Sequence, residues 1–368
     1  MMVRFIDLFR QYLTIKSEID AAIASIINES AYVGGKIIKQ FEGNFAAFHQ
    51  VKHCISVANG TDAIEIALSM LELPKGSEVL VPANTFIATS EAVTRAGYTV
   101  VFCDCDPDTY TISVADAKKR ITDKTRAIIS VHLYGHACDM DAVMELAREN
   151  NLIVVEDCAQ AHGCEFNNKK VGGFGALGTF SFYPGKNLGA YGDAGAIVTN
   201  DEVLAKKCRM FANHGRVAKY DHEIEGRNSR LDGIQAAVLD VKLKYLDKWL
   251  TRRTEVASRY LTNLQGVPGI VIPKVAPWTK HVWHLFVIRY TKRDQLQKYL
   301  QQKGIETLVH YPIALPKLKA YDYLGQGQEK TFASMADKTL LSLPIYPELT
   351  DEEIDFICNN IINFVSSN

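Results

Sequence analysis

Short apolar strands alternate with helical segments between residues 53 and about 200, and no other feature of the sequence constrains the fold as strongly. Strands are predicted where apolar and β-branched residues run together, and helices where apolar residues recur at helical spacing. The predicted strands are Cys54 to Val57, Glu78 to Val81, Thr99 to Cys103, Ala127 to Val131 and Leu152 to Glu156, with helices at 61–72, 86–96, 113–121 and 139–150. This alternation predicts an α/β fold with a mostly parallel sheet and helices on both of its faces.

Further helical patterns lie on both sides of the alternating region. They predict a large α/β domain over 1–249, including an N-terminal helix, and a smaller C-terminal α+β domain over 250–368. The additional helices are predicted at Thr14 to Ile27, in a second short stretch that ends at Phe48, and at Asp201 to Ala212, Ser229 to about Trp249, 252–264, 292–303, 329–341 and 350–365. The additional strands are predicted at Leu177 to Phe182, Ala194 to Thr199, His284 to Arg289 and Ile305 to His310.

The charge balance argues against a nucleic-acid or membrane partner. The 368 residues include 41 Lys and Arg against 42 Asp and Glu, so the chain has no excess of positive charge. No apolar stretch is long enough to cross a membrane, and the first residues do not resemble a secretion signal. The eight cysteines are scattered without a Cys-x-x-Cys pair. We therefore predict a cytoplasmic protein whose cysteines are reduced core residues.

Two patterns imitate metal sites, and both are rejected. Asp104 to Asp108 resembles the start of a calcium loop, but Thr109 and Ala115 replace the required Gly and Glu. His132 and His136 have the spacing of a zinc helix, yet they directly follow an apolar strand, and a turn is the better interpretation. We predict no metal site.

Lys186 and Asp157 both follow apolar strands, at the edge where a parallel sheet binds its ligands. Taken alone, Lys186 could be a solvated charge and Asp157 could cap the next turn. However, an aspartate at the end of an apolar strand must be paired, and a protonated pyridine nitrogen would be a suitable partner. Together with a phosphate-binding loop, these two residues are the parts that a pyridoxal phosphate site needs.

The stretch Asn59-Gly60-Thr61-Asp62 joins the first strand to a helix and could bind such a phosphate. Small residues let the backbone approach, and the free N–H groups of the first helical turn point at the anion. Ser181 could add a hydroxyl group, and Phe86 could lie on a pyridine ring. The alternatives are that Thr61 only caps the helix, that Ser181 is an ordinary strand-end serine, and that Phe86 packs in the core.

In combination these motifs resemble the nucleotide-sugar aminotransferases of the DegT/DnrJ/StrS type. Those enzymes have the aspartate aminotransferase fold (fold type I) and use pyridoxal phosphate. The resemblance covers nearly the whole chain in the same order. It rests on Asn59 to Ala63, Pro82 to Phe86, Glu156 to Gly163, Ser181 to Asp193, Gly226 to Asp232 with Gln235 to Ala237, and His310 to Pro312.

The resemblance implies a role for each matching position. Lys186 would bind the cofactor covalently and move protons, and Asp157 would pair with the pyridine nitrogen. The other cofactor-binding residues would be Gln160 at the ring hydroxyl, Phe86 on the ring, Gly60, Thr61 and Ser181 at the phosphate, and Asn228 at the phosphate of the neighbouring subunit. The substrate-binding residues would be Tyr32, Tyr183, Lys219, Arg230, His310 and Tyr311. A homodimer with shared active sites follows from this. Ala194 departs from the usual glycine and is tolerated unless its φ is positive.

The predicted activity is transfer of an amino group, from L-glutamate, to C3 of a dTDP-3-keto-6-deoxyhexose, giving a dTDP-3-amino-3,6-dideoxyhexose. The C3 position follows from Tyr183, since relatives that aminate C4 tend to have histidine there. Amination at C4 or of a UDP-linked sugar is the alternative. A sugar dehydrase of this fold would have histidine in place of Lys186, and a non-catalytic regulator is a remote possibility. A Rossmann nucleotide binder would need Gly-x-Gly-x-x-Gly after the first strand, which is missing.

Overall fold

The computed structural model describes residues 1–367, and its centre is a seven-stranded sheet. The strands are β1 (His53–Val57), β2 (Glu78–Pro82), β3 (Thr99–Cys103), β4 (Thr125–Val131), β5 (Ile153–Asp157), β6 (Leu177–Ser181) and β7 (Gly195–Thr199). Their order across the sheet is β1-β7-β6-β5-β4-β2-β3. β7 is antiparallel to both of its neighbours, and the other pairs are parallel. β1 therefore points the same way as β6, and the predicted mostly parallel sheet is confirmed.

Neighbouring residues of each central strand pack into different layers of the core. In β4, Ile128 packs on one side of the sheet and Ile129 on the other, and Val154 and Val155 divide in the same way in β5. This follows from the period of two along a strand. The helices of the large domain are α1 (Leu8–Asn28), α2 (Lys36–His49), α3 (Gly60–Ser69), α4 (Ile87–Arg95), α5 (Val114–Arg120), α6 (Met140–Glu149), α7 (Glu202–Phe211) and α8 (Gly233–Leu243). Helices α2, α6 and α8 contribute to one layer and α3, α4 and α7 to the other.

One predicted helix is two helices in the structure. The helix expected from Ser229 to about Trp249 ends with α8 at Leu243, and α9 (Leu246–Leu264) begins after a short turn. The break has a packing reason: α8 lies against the sheet, whereas Val256 and Tyr260 of α9 belong to the separate C-terminal core. A single straight helix could not pack against both the sheet and the C-terminal core. The predicted boundary between 249 and 250 falls within α9.

The C-terminal part is built on a two-stranded antiparallel sheet of β8 (Phe286–Arg289) and β9 (Leu340–Leu343). Its helices are α10 (Arg293–Gln302), α11 (Phe332–Ala336) and α12 (Asp351–Ser366). The prediction of a helix over 329–341 was wrong, because only α11 is helical and the fully buried run of β9 follows it. The predicted strand from Ile305 to His310 forms only isolated bridges, from Ile305 to Val3 and from Leu308 to Ser342.

Several short elements complete the fold. A hairpin of Arg216–Ala218 and Asp221–His222 lies between α7 and α8. A small sheet joins Glu165–Phe166 to Lys169–Lys170 and to Thr279–Lys280. Short 3-10 turns occur at Leu133–Gly135, Leu315–Lys317 and Lys319–Leu324. The first of them lies between His132 and His136, where a turn was predicted. The eight cysteines are all buried and unpaired. Among the described helices, none is long and apolar enough to cross a membrane.

Candidate active site

Lys186 lies on a tight loop that leaves the carboxyl end of β6. The loop closes where Gly189 passes Pro184, since a Cβ on Gly189 would lie 2.2 Å from the Pro184 carbonyl oxygen. The backbone N–H of Lys186 donates to the Tyr183 carbonyl at 2.8 Å. The buried Asn187 side chain donates to the Val282 carbonyl at 2.9 Å. The loop that presents Lys186 is therefore fixed on both sides of the lysine.

The side-chain amine of Lys186 makes no hydrogen bond or ion pair with any residue from 1 to 367. Burial lowers its pKa to about 8, although the negative charge of Asp157 acts in the opposite direction. Removing an ammonium group from water disfavours the charged form. A neutral amine at moderate pH can act as a nucleophile or accept a proton.

Asp157 closes β5, and its carboxylate is buried and bonded through both oxygens. Oδ2 accepts from the Thr89 hydroxyl at 2.7 Å, and Oδ1 accepts from the Ala159 N–H at 3.0 Å. The bond from Ala159 is the turn cap that was considered as the alternative role of Asp157. The bond from Thr89 shows that capping is not the only role of this carboxylate. Since a carboxylate can accept about four hydrogen bonds, Asp157 keeps capacity for a further donor.

The start of α3, the end of β6 and the start of β7 meet closely. A Cβ on Gly60 would lie 2.5 Å from Ser181 Cβ, and one on Gly195 would lie 2.3 Å from the Asn59 carbonyl oxygen. Asn59 caps α3 by accepting from the Asp62 N–H, so the alternative in which Thr61 is the cap is wrong. The N–H groups of Gly60 and Thr61 have no acceptor in the described part of the chain. Two free helix-start donors beside a serine hydroxyl suit a phosphate group.

Gln160 links this edge of the sheet to the C-terminal part of the chain. Its Oε1 accepts from the Tyr134 N–H at 2.6 Å, and its Nε2 donates to the Tyr311 hydroxyl at 3.0 Å. The rings of Tyr311 and Phe86 are 5.8 Å apart. Phe86 is 54% exposed, so the alternative of core packing is wrong for this residue. An uncovered aromatic face at this place can stack on a planar ring.

Most of the other predicted site residues lie further out on the surface. Tyr32, Tyr183, Lys219 and Asn228 are exposed, Arg230 is half-buried, and the Lys219 ammonium lies over the Tyr220 ring at the hairpin. Within residues 1–367, no hydrogen bond or ion pair joins Lys219, Asn228 or Arg230 to Lys186 or Asp157. His310 is tied to Ser342 Oγ at 2.8 Å through Nδ1, and burial lowers the pKa of His310 to about 4. The structure thus groups the predicted cofactor-binding residues, apart from Asn228, more closely than the predicted substrate-binding ones.

Ala194, where relatives usually have glycine, is buried and does not have a positive φ. The methyl group of Ala194 was expected to be tolerated unless the φ of this residue is positive, and its φ is not positive. Ser229 was not predicted, and its hydroxyl accepts from the Ala58 N–H at 3.1 Å, next to the start of α3. Thr89 was also missed. No local signal marks it, because its partner Asp157 is 68 positions away in the chain.

The site's chemistry fits pyridoxal phosphate. Backbone N–H donors without an acceptor in the described part of the chain, a carboxylate with spare capacity and an amine of lowered pKa lie at one edge of an α/β sheet. These features define the class as fold type I enzymes that use this cofactor. Within that class, the chain belongs to the DegT/DnrJ/EryC1/StrS aminotransferase family, whose model matches residues 13–362. The protein is therefore a sugar aminotransferase, and the family resemblance seen in the sequence is confirmed.

Similar proteins support this assignment over almost the whole chain. Two are 44% identical: the dTDP-3-amino-3,4,6-trideoxy-alpha-D-glucose transaminase of Streptomyces venezuelae, covering 94% of this chain and 92% of the relative, and the erythromycin biosynthesis sensory transduction protein EryC1 of Saccharopolyspora erythraea, covering 97% and 98%. The dTDP-3-amino-3,6-dideoxy-alpha-D-galactopyranose transaminase of Aneurinibacillus thermoaerophilus is 42% identical, covering 96% and 97%.

The fold is also that of a solved relative. The crystal structure of S. venezuelae DesV in complex with a ketimine intermediate superposes with a TM-score of 0.95 at 42% identity, covering 99% of this chain and 98% of that one. Substrates vary among more distant relatives. A UDP-N-acetyl-3-dehydro-alpha-D-glucosamine 3-aminotransferase of Acidithiobacillus ferrooxidans is 39% identical, covering 96% and 95%. A GDP-perosamine synthase of Escherichia coli O157:H7 is 36% identical, covering 90% and 91%.

Proposed function

We propose that the protein transfers the amino group of L-glutamate to C3 of a dTDP-3-keto-6-deoxyhexose. The products are 2-oxoglutarate and a dTDP-3-amino-3,6-dideoxyhexose. The observation that carries the proposal is the similarity, at 42–44% identity, to transaminases named for dTDP-3-amino sugars. The sequence Ser181-Phe182-Tyr183 before the lysine loop supports the same position on the sugar.

Pyridoxal phosphate supplies an aldehyde that takes up the amino group and a ring that stores the electron pair released when a proton leaves the substrate. In our proposal, Lys186 holds the cofactor and moves that proton. Its loop is anchored by Asn187, so the amine stays near the reacting carbon. Asp157 would accept a hydrogen bond from the N–H group of the pyridine ring. A carboxylate at this place favours the protonated ring nitrogen.

The phosphate would be held by the N–H groups of Gly60 and Thr61 and by the Ser181 hydroxyl. Phe86 would cover one face of the ring, and Gln160 would donate to the ring hydroxyl with its second N–H. The side chains of Tyr32, Tyr183, Lys219, Arg230, His310 and Tyr311 would contact the sugar nucleotide. Asn228 would reach the phosphate of a second copy, which makes the functional unit a homodimer.

The test is to supply dTDP-4-keto-6-deoxyglucose and its 3-keto isomer separately, each with glutamate and pyridoxal phosphate, and to locate the new C–N bond by NMR. We expect amination of the 3-keto sugar at C3. A preference for the 4-keto sugar, or amination at C4, would contradict the proposed position. The corresponding UDP-linked sugar tests the nucleotide, because the A. ferrooxidans relative is named for a UDP substrate.

Lys186→Ala tests the mechanism itself. We expect this variant to bind the cofactor only reversibly and to lose turnover, since Lys186 is the one residue to which we assign both covalent attachment and proton transfer. In the native protein, borohydride reduction followed by peptide mass spectrometry is expected to label Lys186. An active Lys186→Ala enzyme would disprove the role of this residue.

A further inference from the structure

Two hydroxyl groups form a chain that leads to the Asp157 carboxylate. Thr89 Oγ1 lies 2.7 Å from Asp157 Oδ2, and Thr85 Oγ1 lies 3.1 Å from Thr89 Oγ1. These three side chains are no more than 4% exposed. Buried polar groups of this kind are costly unless they bond to one another, so the chain is a defined part of the structure.

The direction of the hydrogen bonds follows from the donors available. An ionised carboxylate only accepts, so Thr89 must give its single hydroxyl proton to Asp157. Thr89 can then only accept from Thr85, which must be the donor of the outer bond. The protons therefore point along the chain from Thr85 through Thr89 to Asp157.

Asp157 has only one other protein donor among the described residues, the N–H of Ala159 on Oδ1. No Lys, Arg or His forms an ion pair with it in that part of the chain. Because each donated hydrogen bond stabilises the charged form of a carboxylate, a site with only two such bonds depends strongly on each. Removing the Thr89 bond leaves Oδ2 without a protein donor.

Thr89 also belongs to the same helix start as Phe86. Phe86 is the N-cap residue of α4, and Thr89 is its third residue, with its N–H donating to the Phe86 carbonyl at 3.1 Å. The start of α4 thus presents an exposed aromatic ring outward and a hydroxyl group inward to Asp157. The positive end of the helix dipole favours a carboxylate nearby as well.

We propose that Thr89 is a positioning residue for the cofactor, whose hydroxyl orients the Asp157 carboxylate as the acceptor of a hydrogen bond from the protonated pyridine nitrogen. The proton then stays on the ring nitrogen, where it is needed for the ring to store electrons. This inference rests on the proposed role of Asp157, and Thr85 reinforces the effect by polarising the Thr89 hydroxyl.

The experiment compares Thr89→Val, which keeps the shape and removes the hydroxyl, with Thr89→Ser, which keeps the hydroxyl. Pyridoxal phosphate labelled with 15N is bound to each holoenzyme, and the ring nitrogen is observed by NMR. For Thr89→Val we expect the signal to move toward that of an unprotonated pyridine, the Kd of the cofactor to rise about tenfold and kcat to fall at least as much. The KM for the sugar nucleotide should change less than about twofold, since Thr89 would not touch it.

Thr89→Ser should restore the native signal and Kd. Thr85→Val, the matched control, should shift the signal in the same direction by a smaller amount. A native 15N signal and Kd in Thr89→Val, or a failure of Thr89→Ser to restore them, would overturn the inference. If Thr89→Val does not fold, as judged by circular dichroism, Thr89→Ala replaces it in the comparison with Thr89→Ser. If the native enzyme itself shows no protonated ring nitrogen, it is the proposed role of Asp157 that fails.

Discussion

Lys186 combines three properties that are rarely found together in a lysine. Its side chain is only partly exposed, its amine has no hydrogen-bond acceptor within residues 1–367, and the loop around it is held by the Asn187 side chain. Lysine stems usually carry their charge to water, which keeps the amine protonated and solvated. The fold instead leaves the Lys186 side chain only partly exposed, and burial lowers the pKa of its amine to about 8.

The first prediction concerns the pH dependence of cofactor uptake. Only the neutral amine attacks an aldehyde, and the Lys186 pKa of about 8 means that its neutral fraction rises up to that pH and then levels off. We expect the rate at which apoprotein forms a covalent link with pyridoxal phosphate to increase with pH and to flatten above about 8. Stopped-flow absorbance from pH 6 to 10 measures this rate.

Lys186→Ala provides the baseline for that experiment, because it should show no covalent phase at any pH. A solvated lysine would keep gaining neutral amine up to a pH of about 10. A rate that still climbs steeply beyond pH 9 in the native chain would therefore show that Lys186 is not kept out of water.

Among the secondary-structure elements, β6 depends on a buried carboxylate in the neighbouring strand. Glu156 of β5 is fully buried and accepts from the N–H groups of Gly172, Phe174 and Gly175 at 2.7–2.8 Å. Its fourth donor is His132 Nε2 at 3.1 Å. Burial acts to raise the pKa of Glu156, but these bonds outweigh it and hold the pKa below its ordinary value. Glu156 thus fixes the segment that leads into the strand before Lys186.

The second prediction follows from this arrangement. Glu156→Gln replaces an acceptor oxygen with an NH₂ group that faces existing donors, so we expect the free energy of unfolding to fall by about 2–4 kcal/mol. Urea denaturation measures it. Glu149→Gln is the control, since the Glu149 side chain is 44% exposed and pairs with Lys118 at 3.5 Å. It should cost less than about 1 kcal/mol.

The pH dependence of that stability has a definite sign. The pKa of Glu156 is lower in the folded state than in the unfolded chain, so its contribution is complete at neutral pH and is lost as the pH falls through the carboxyl range. The difference in stability between the native protein and Glu156→Gln should therefore shrink in acid. An equal difference at pH 7 and pH 4 would mean that the charge of Glu156 is not what stabilises the segment.

The sequence alone predicted those strands and helix starts that a pattern of a few neighbouring residues defines. The apolar run ending in Glu156 and Asp157 predicted β5 and its buried acid, and the Gly60 turn predicted the start of α3. The strand β9 was missed because its partner β8 lies about 50 residues earlier in the chain, and pairing at that distance leaves no local pattern. Thr89 was missed for the same reason, because Asp157 is 68 positions away.

For the molecule as a whole, an uncovered apolar surface lies close to the site. The residues on α1 and just after it that leave large apolar side chains exposed are Phe9, Leu13, Ile27, Tyr32 and Val33. The ring of Tyr12 on α1 contacts Tyr191, just beyond the Lys186 loop, at 6.4 Å. Exposed apolar patches of this kind are typical of protein–protein interfaces. They support the proposed homodimer, with a second copy next to each site.

The third prediction tests whether two subunits share each site. Lys186→Ala subunits are mixed, after unfolding and refolding together, with subunits that carry Asn228→Ala and Arg230→Ala. If Asn228 and Arg230 act across the subunit boundary, each heterodimer has one intact site, and an equal mixture should regain about a quarter of the native activity by random pairing. Each parent alone should be inactive. No recovery in verified heterodimers would mean that these residues serve their own subunit.

The position of β7 between β1 and β6 also determines when the proposed phosphate-binding site can form during synthesis. Within residues 1–367, β1 pairs with β7 alone, so residues 53–57 have no partner strand until residues 195–199 have left the ribosome. At an elongation rate of about 5–20 residues per second, that wait is on the order of ten seconds. Gly195 also closes against Asn59 at the start of α3. A nascent or truncated chain that lacks β7 therefore contains Lys186 but has no strand to pair with β1.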